Sequence, residues 1–222
     1  MADDISDIRA YYDGGVEKEN ARLERHQQER DITWRYLEKY LHGRGKVLEV
    51  GAAAGAYTVP LAKLGYKVTA VDLSPKLMEA CKKKVAEEGL QNKVTCFVAD
   101  ARDLSTVPGR DYDAALLMGP LYHLVLKEDR EKAVQEAYCR LKSGGVIFSS
   151  FVSRYGIWGT IMTRLSFLID RQEDVRSVIK KGKDVMVPEG GFRGYFTTVK
   201  EIAPLHEKAG FRTLALAGVE PA

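Results

Sequence analysis

The stretch from Lys46 to Asp72, KVLEVGAAAGAYTVPLAKLGYKVTAVD, decides the fold. Val47, Leu48 and Val50 form a short apolar run that reads as a buried strand and stops at Gly51. Small residues fill the turn to Gly55, and Tyr57 to Leu64 reads as a helix ended by Gly65. Pro60 fits the first turn of that helix, where backbone N–H groups have no intrahelical partner. Val68 to Val71 is a second strand, closed by the carboxylate of Asp72. Strand, tight turn, helix, strand and terminal acid make a βαβ nucleotide-binding unit. With no bulk on Cβ, the turn lets a ligand approach the backbone and the helix N-terminus. Asp72 follows Gly51 by about 20 positions, where an acid can accept both hydroxyls of a ribose.

Working outward, further βα units repeat on the C-terminal side. Ser74-Pro75 is an N-cap followed by a first-turn proline, opening a helix that buries Leu77, Met78, Cys81 and Val85 and ends at Gly89. Val94–Val98 and Tyr112–Met118 read as the third and fourth strands, followed by a helix from Lys127 to Leu141. Ser143-Gly144-Gly145 closes that helix and Val146 to Phe151 is a fifth strand. Thr198 and Glu201 make a capping box for a helix facing the core with Ile202, Leu205 and Ala209. Phe211 to Ala217 then alternates as a sixth strand. On the N-terminal side, residues 3–16 begin as polar coil with Tyr11, Tyr12 and Asp13 before Gly14-Gly15. Glu17 to Leu41 is helical in propensity, with apolar residues only in its second half. His26, His42 and His206 read as surface histidines.

These units predict one α/β domain spanning residues 1–222, with a doubly wound, mostly parallel sheet. Two segments stand outside the alternation: an N-terminal helical lid over 1–42 and an insertion over 153–196, too long for an ordinary connection. The net charge of +3 in 222 residues does not argue for nucleic acid or a membrane surface. No apolar run approaches the roughly 18 residues a span needs, and the acidic, polar start is unlike a signal peptide. Cys81, Cys96 and Cys139 lie scattered in apolar-periodic segments, as buried thiols of a reducing compartment do. A cytoplasmic location is expected. No metal-ligand cluster, nucleophile elbow or phosphate loop with lysine is present in the sequence.

The turn fits acid-x-Gly-x-x-x-Gly, with Glu49, Gly51 and Gly55, better than the dinucleotide fingerprint, which would want glycine where Ala53 and Ala56 stand. In this it resembles motif I of the class I S-adenosylmethionine-dependent methyltransferases, with Ala53 where a glycine is usual. The resemblance continues through VTAVDLSPKLMEACKK, CFVADARDL, YDAALLMGPLYHL and LKSGGVIF, and more weakly into FTTVKEIAPLHEKAGF. It implies a Rossmann-like class I methyltransferase fold whose final antiparallel strand is missing, since only Gly218 to Ala222 follow the sixth strand. It implies S-adenosylmethionine as cofactor, with S-adenosylhomocysteine as its product. On that match Glu49, Gly51, Ala53 and Gly55 would hold the amino-acid end and Asp72 the ribose hydroxyls. Leu73 would pack on the adenine, Asp100 would take its amino group beside Ala101, and Met118 would lie by the methionine portion.

The fourth-strand exit reads Met118-Gly119-Pro120-Leu121, without the Asn/Asp-Pro-Pro-aromatic tetrapeptide of enzymes that methylate adenine or glutamine. The expected acceptor is a small organic molecule, methylated on O, N or C. His123, after the fourth strand, is the candidate general base, although a histidine bonded structurally within a loop is the better reading of the position. Tyr12 is placed over the cofactor, and Tyr11, Tyr122, Arg154, Tyr155 and Trp158 are placed around the acceptor. Rival readings are a nicotinamide-dependent oxidoreductase and a non-catalytic protein that binds the same cofactor. The acceptor's identity and the oligomeric state are not encoded in any motif.

Overall fold

In the computed structural model the described residues are 3–20, 26–43, 45–156, 172–183 and 193–219. Five strands, β1 (Lys46–Val50), β2 (Lys67–Asp72), β3 (Val94–Val98), β4 (Tyr112–Leu117) and β5 (Leu141–Ser149), form one sheet in the order β3-β2-β1-β4-β5. Every neighbouring pair is parallel. Parallel pairing needs crossovers, and these are the helices α4 (Thr58–Lys63), α5 (Pro75–Glu87) and α6 (Lys127–Tyr138). The order reverses between β1 and β4, so the turns leaving those two strands open a crevice at the switch point.

Both faces of the sheet are covered. One packs Val47, Val68 and Ala70 against Leu37, Leu61, Met78 and Cys81, with Leu37 supplied by α3 (Gln27–Tyr40). The other packs Leu48, Val50 and Leu117 against Leu121, Ala133, Val134 and Leu205, the last from α8 (Val199–Glu207). Each fully buried Leu or Val contributes roughly 1.5–3 kcal/mol relative to exposure. The expected caps are present. Ser74 Oγ accepts from the Leu77 N–H at 3.1 Å, and Thr198 and Glu201 close their box.

Four expectations are corrected. Residues 3–16, read as beginning in polar coil, already form a helix, α1 (Ser6–Gly14), before the helical stretch expected from Glu17 opens with the short α2 (Val16–Asn20). Its apolar residues are few because only one narrow face meets the protein. Strand β5 begins at Leu141 rather than Val146, with its register shifting between Tyr112↔Leu141 and Ala114↔Val146 as the chain passes Gly144 in the left-handed region (φ 77°). The expected sixth strand, Phe211–Ala217, forms no strand, and Leu214 and Leu216 are 50% and 52% exposed. Alternation supplies a strand-like face but not a partner edge, and a groove lined by Ile147, Phe148, Leu214 and Leu216 lies between this segment and β5. His206 is buried, bonded through Nε2 to Ser149 Oγ at 2.9 Å and through Nδ1 to the Ile202 carbonyl.

The insertion begins and ends side by side. The two-residue strands β6 (Val152–Ser153) and β7 (Phe196–Thr197) pair in parallel, and α7 (Gln172–Lys181) lies between them in sequence. Among the described residues, no helix is long and apolar enough to cross a membrane.

Candidate functional site

The floor of the crevice is the turn after β1. Gly51 and Ala52 both donate N–H to the Val71 carbonyl, at 2.8 and 3.0 Å, so the turn hangs from β2. Gly51 has φ 83°, and a Cβ there would meet Pro120 Cδ at 2.6 Å. The position therefore requires glycine on both backbone and space grounds. Ala53 is also left-handed, at φ 47°, which costs a non-glycine residue roughly 1–2 kcal/mol. Its N–H is fixed there by donating to Asp72 Oδ2 at 2.8 Å, while Asp72 Oδ1 accepts from the Ser74 N–H at 2.9 Å. One carboxylate thus ties the turn to the start of α5.

Glu49 is fully buried and receives the Thr58 hydroxyl at 2.5 Å. Burial, opposed by the Thr58 bond, pushes its carboxyl up to about 8. Burial likewise raises Asp72 to about 6, although the Ser74 and Ala53 N–H groups favour its ionised form. Two buried carboxyls with raised pKa values line the same cavity as Gly51, Ala53 and Leu73. Such a donor set suits a ligand carrying a cation and a diol, because a cation near Glu49 would restore the charge that burial suppresses.

The cover comes from α1. Ile5, Ile8 and Tyr12 line the cavity from above, with Met118, Pro120, Tyr122, His123 and Leu124 on the β4 side. Tyr12 Oη lies 2.6 Å from His123 Nε2, and His123 Nδ1 lies 3.0 Å from the Arg193 carbonyl oxygen. A carbonyl only accepts, so Nδ1 carries the proton, Nε2 is the acceptor, and the Tyr12 hydroxyl donates. Burial lowers His123 to about 4 and raises Tyr12 well above its ordinary value. The pair is therefore neutral near pH 7.

Several side chains latch α1 in place. Arg193 pairs with Asp3 and Asp7, each at 2.9 Å. Arg102 Nη1 donates to the Asp3 carbonyl, and Ser74 Oγ donates to Asp13 Oδ1. Arg102 also grips Asp100 with Nε and Nη2 and reaches Asp129 at 2.8 Å.

The structure thus brings most of the expected residues together. Tyr12, Glu49, Gly51, Ala53, Asp72, Leu73, Asp100, Ala101, Met118, Tyr122 and His123 all border one cavity. Gly55 lies behind the turn against Cys81 rather than in the lining. Asp100 borders the cavity, yet its two oxygens are already engaged by Arg102. Arg154 and Tyr155 are not in the lining. Arg154 is bonded to Glu201, Tyr195 and the Phe196 carbonyl, where it ties the insertion's ends to α8. Tyr155 is 62% exposed. Tyr11 packs edge-on against Tyr12 and is also outside the lining. Trp158 lies outside the described residues. Sequence reasoning missed Ile5 and Ile8, whose spacing with Tyr12 is helical and carried the signal. It also missed Arg102, whose Asp100 partner stands two residues before it, and Arg193, for which no local signal exists.

Residues 47–145 match the family model of a methyltransferase domain, a little under half of the chain. A ubiquinone biosynthesis O-methyltransferase from Xanthomonas axonopodis pv. citri is 32% identical over 120 residues, covering 54% of this chain and 48% of that protein. The chain thus spans about half the length of the curated relatives it matches. A SAM-dependent methyltransferase from Methanosarcina mazei superposes with TM-score 0.62 at 22% identity, covering 78% of this chain and 82% of the other. Magnesium protoporphyrin IX methyltransferase from Synechocystis PCC 6803, solved with bound SAH, gives TM-score 0.59 at 20% identity, covering 86% and 74%. At these identities the solved structures establish the shared fold.

Proposed function

We propose that this chain, whose residues 47–145 match the family model of a methyltransferase domain, is a class I S-adenosylmethionine-dependent methyltransferase that methylates a small organic molecule on an O, N or C nucleophile. A hydroxyl oxygen fits the Tyr12–His123 pair best. The observation that carries this is a single cavity lined both by the acids Glu49 and Asp72 and by the neutral Tyr12–His123 pair. Glu49 would hold the ammonium of the cofactor and Asp72 its ribose hydroxyls, with the Gly51–Ala53 backbone beneath. Bound S-adenosylmethionine would supply a methyl group on a sulfonium, an already activated leaving group.

The chain's own part is orientation, exclusion of water and disposal of one proton. Ile5, Ile8 and Leu124 make the acceptor side apolar, and α1 covers it. A hydroxyl approaching Tyr12 Oη can donate to it while Tyr12 donates to His123 Nε2. The proton of the acceptor thereby has a two-step route to an imidazole whose tautomer the Arg193 carbonyl fixes. With His123 near 4 and a phenol near 10, full deprotonation in advance would cost about 8 kcal/mol. The proton therefore leaves as the new bond forms, not before. The similarity to a relative named for O-methylation supports oxygen as the nucleophile.

Incubation with methyl-labelled S-adenosylmethionine and a panel of small phenols, carboxylates and amines tests this. Label in a hydroxylated acceptor is expected, lowered by up to 10²–10⁴ in His123→Ala, as for a lost general base. Cofactor binding with no transfer to any acceptor would contradict the enzymatic reading and favour a non-catalytic binder.

A further inference from the structure

Behind the cofactor-side turn, two thiols meet that the reading above leaves without a role. Cys81, on α5, is fully buried, and Cys96, on the edge strand β3, is half-buried with its Sγ 3.9 Å from Cys81 Sγ. Cys81 Sγ is also the atom a Cβ at Gly55 would meet first, at 2.9 Å, with Thr58 Cβ beside it at 3.6 Å. Thr58 in turn donates its hydroxyl to Glu49. A contiguous chain thus runs from Cys96 on the sheet edge through Cys81 and Thr58 to the buried acid of the cavity.

From this geometry we propose that Cys81 and Cys96 are an oxidant-sensitive dithiol pair whose disulfide withdraws the packing beneath the Gly51–Gly55 turn and so weakens ligand binding. The functional half rests on the cofactor reading given above. Cys96, half-buried where Cys81 is fully buried, is the sulfur oxidised first. Its thiol is lowered by the Cys81 contact and by Lys82, whereas Cys81 is raised by that contact and by burial. The Cys96 thiolate displaces hydroxide from hydrogen peroxide to give a sulfenic acid. The Cys81 thiol then attacks that sulfur, forming the S–S bond and releasing water. Two electrons pass from the pair to the peroxide. A disulfide holds its sulfurs about 2.05 Å apart, so the atoms must close by roughly 1.9 Å. The sulfur that supports Gly55 is one of those that move.

The test uses the full chain, reduced and then exposed to hydrogen peroxide, denatured, alkylated and mapped as peptides by mass spectrometry. S-adenosylhomocysteine affinity is measured by calorimetry on the same samples. A Cys81–Cys96 cross-link is expected, with affinity falling at least tenfold and returning on dithiothreitol treatment. Cys96→Ser should bind like the reduced protein and ignore peroxide. Cys139→Ser, which removes the exposed thiol, should remain sensitive. Alkylation of both Cys81 and Cys96 after oxidation would overturn the pair, and a cross-link without loss of affinity would overturn the switch. Failure of the reduced protein to bind S-adenosylhomocysteine would sink the cofactor reading instead, and the peptide map would still decide the pair.

Discussion

Beneath the cavity, the turn from Gly51 to Gly55 is fixed by backbone N–H groups and by one carboxylate only 19 residues away. Above it, α1 is fixed by side chains, among them Tyr12 to His123 across 111 residues and Arg193 to Asp3 across 190. The floor is covalently local, so its geometry follows from a few dozen consecutive residues. The cover depends on partners whose ion pairs are part-exposed, such as Arg193 with Asp7, 25% and 56% exposed. Pairs of that kind each contribute about 0–1 kcal/mol. A rigid floor with a weakly latched cover is what a site needs when its ligands must enter and water must leave.

The largest effect should come from breaking the floor. Gly51→Val places a β-branched side chain at φ 83° with its Cβ 2.6 Å from Pro120 Cδ. Left-handed strain and overpacking together should cost about 2–5 kcal/mol, read as a lowered melting temperature and loss of ligand binding. Asp72→Ala removes charge-assisted bonds to the turn and, on the proposed reading, to a ribose, and calorimetry should show roughly 1.5–3 kcal/mol weaker binding. Breaking the cover should act differently. Arg193→Ala should lower stability by less than about 1 kcal/mol, yet slow methyl transfer and speed hydrogen exchange across Ser6–Gly14. Equal exchange in wild type and variant would remove the latch. The smallest change sharpens the floor: Ala53→Gly relieves a left-handed alanine and should raise stability by about 1 kcal/mol or less in a thermal melt.

The same contrast decides what the sequence made legible. The strands β1 to β4 and the caps at Ser74 and Thr198 were readable because apolar period, glycine and cap chemistry are local signals. The acids at the strand ends were readable because a doubly wound sheet brings those ends to one edge. Helix α1, inside the expected helical lid, was read as starting in coil because its stripe of Ile5, Ile8 and Tyr12 is short and sits among charges. Arg193, and the reach of Arg102 beyond neighbouring Asp100 to Asp3 and Asp129, were invisible, since nothing beside them in sequence names those partners. Phe211–Ala217 has the alternation of a strand, but pairing is a property of the neighbour as well. Arg154 was assigned to the acceptor by its place in the insertion, while its guanidinium is used up on Glu201 and the chain around it.

On the proposed reading, Glu49 and Asp72 form a floor that waits for a cationic ligand. Glu49, raised to about 8, favours its protonated form when folded, so its contribution to stability is full below its ordinary value of 4.5. That contribution is lost progressively between 4.5 and about 8, at about 1.4 kcal/mol per pH unit, and is gone once pH has risen through 8. A ligand ammonium reverses the preference, so binding must release a proton. The most direct measurement is calorimetric titration of the reduced protein with S-adenosylhomocysteine at pH 6, 7 and 8, in buffers of different ionisation enthalpy, with NAD as the control. Affinity should rise with pH, with net proton release, and the rise should flatten in Glu49→Gln while NAD gives no heat of binding. Absence of binding, or an affinity independent of pH in the wild-type protein, would contradict the account.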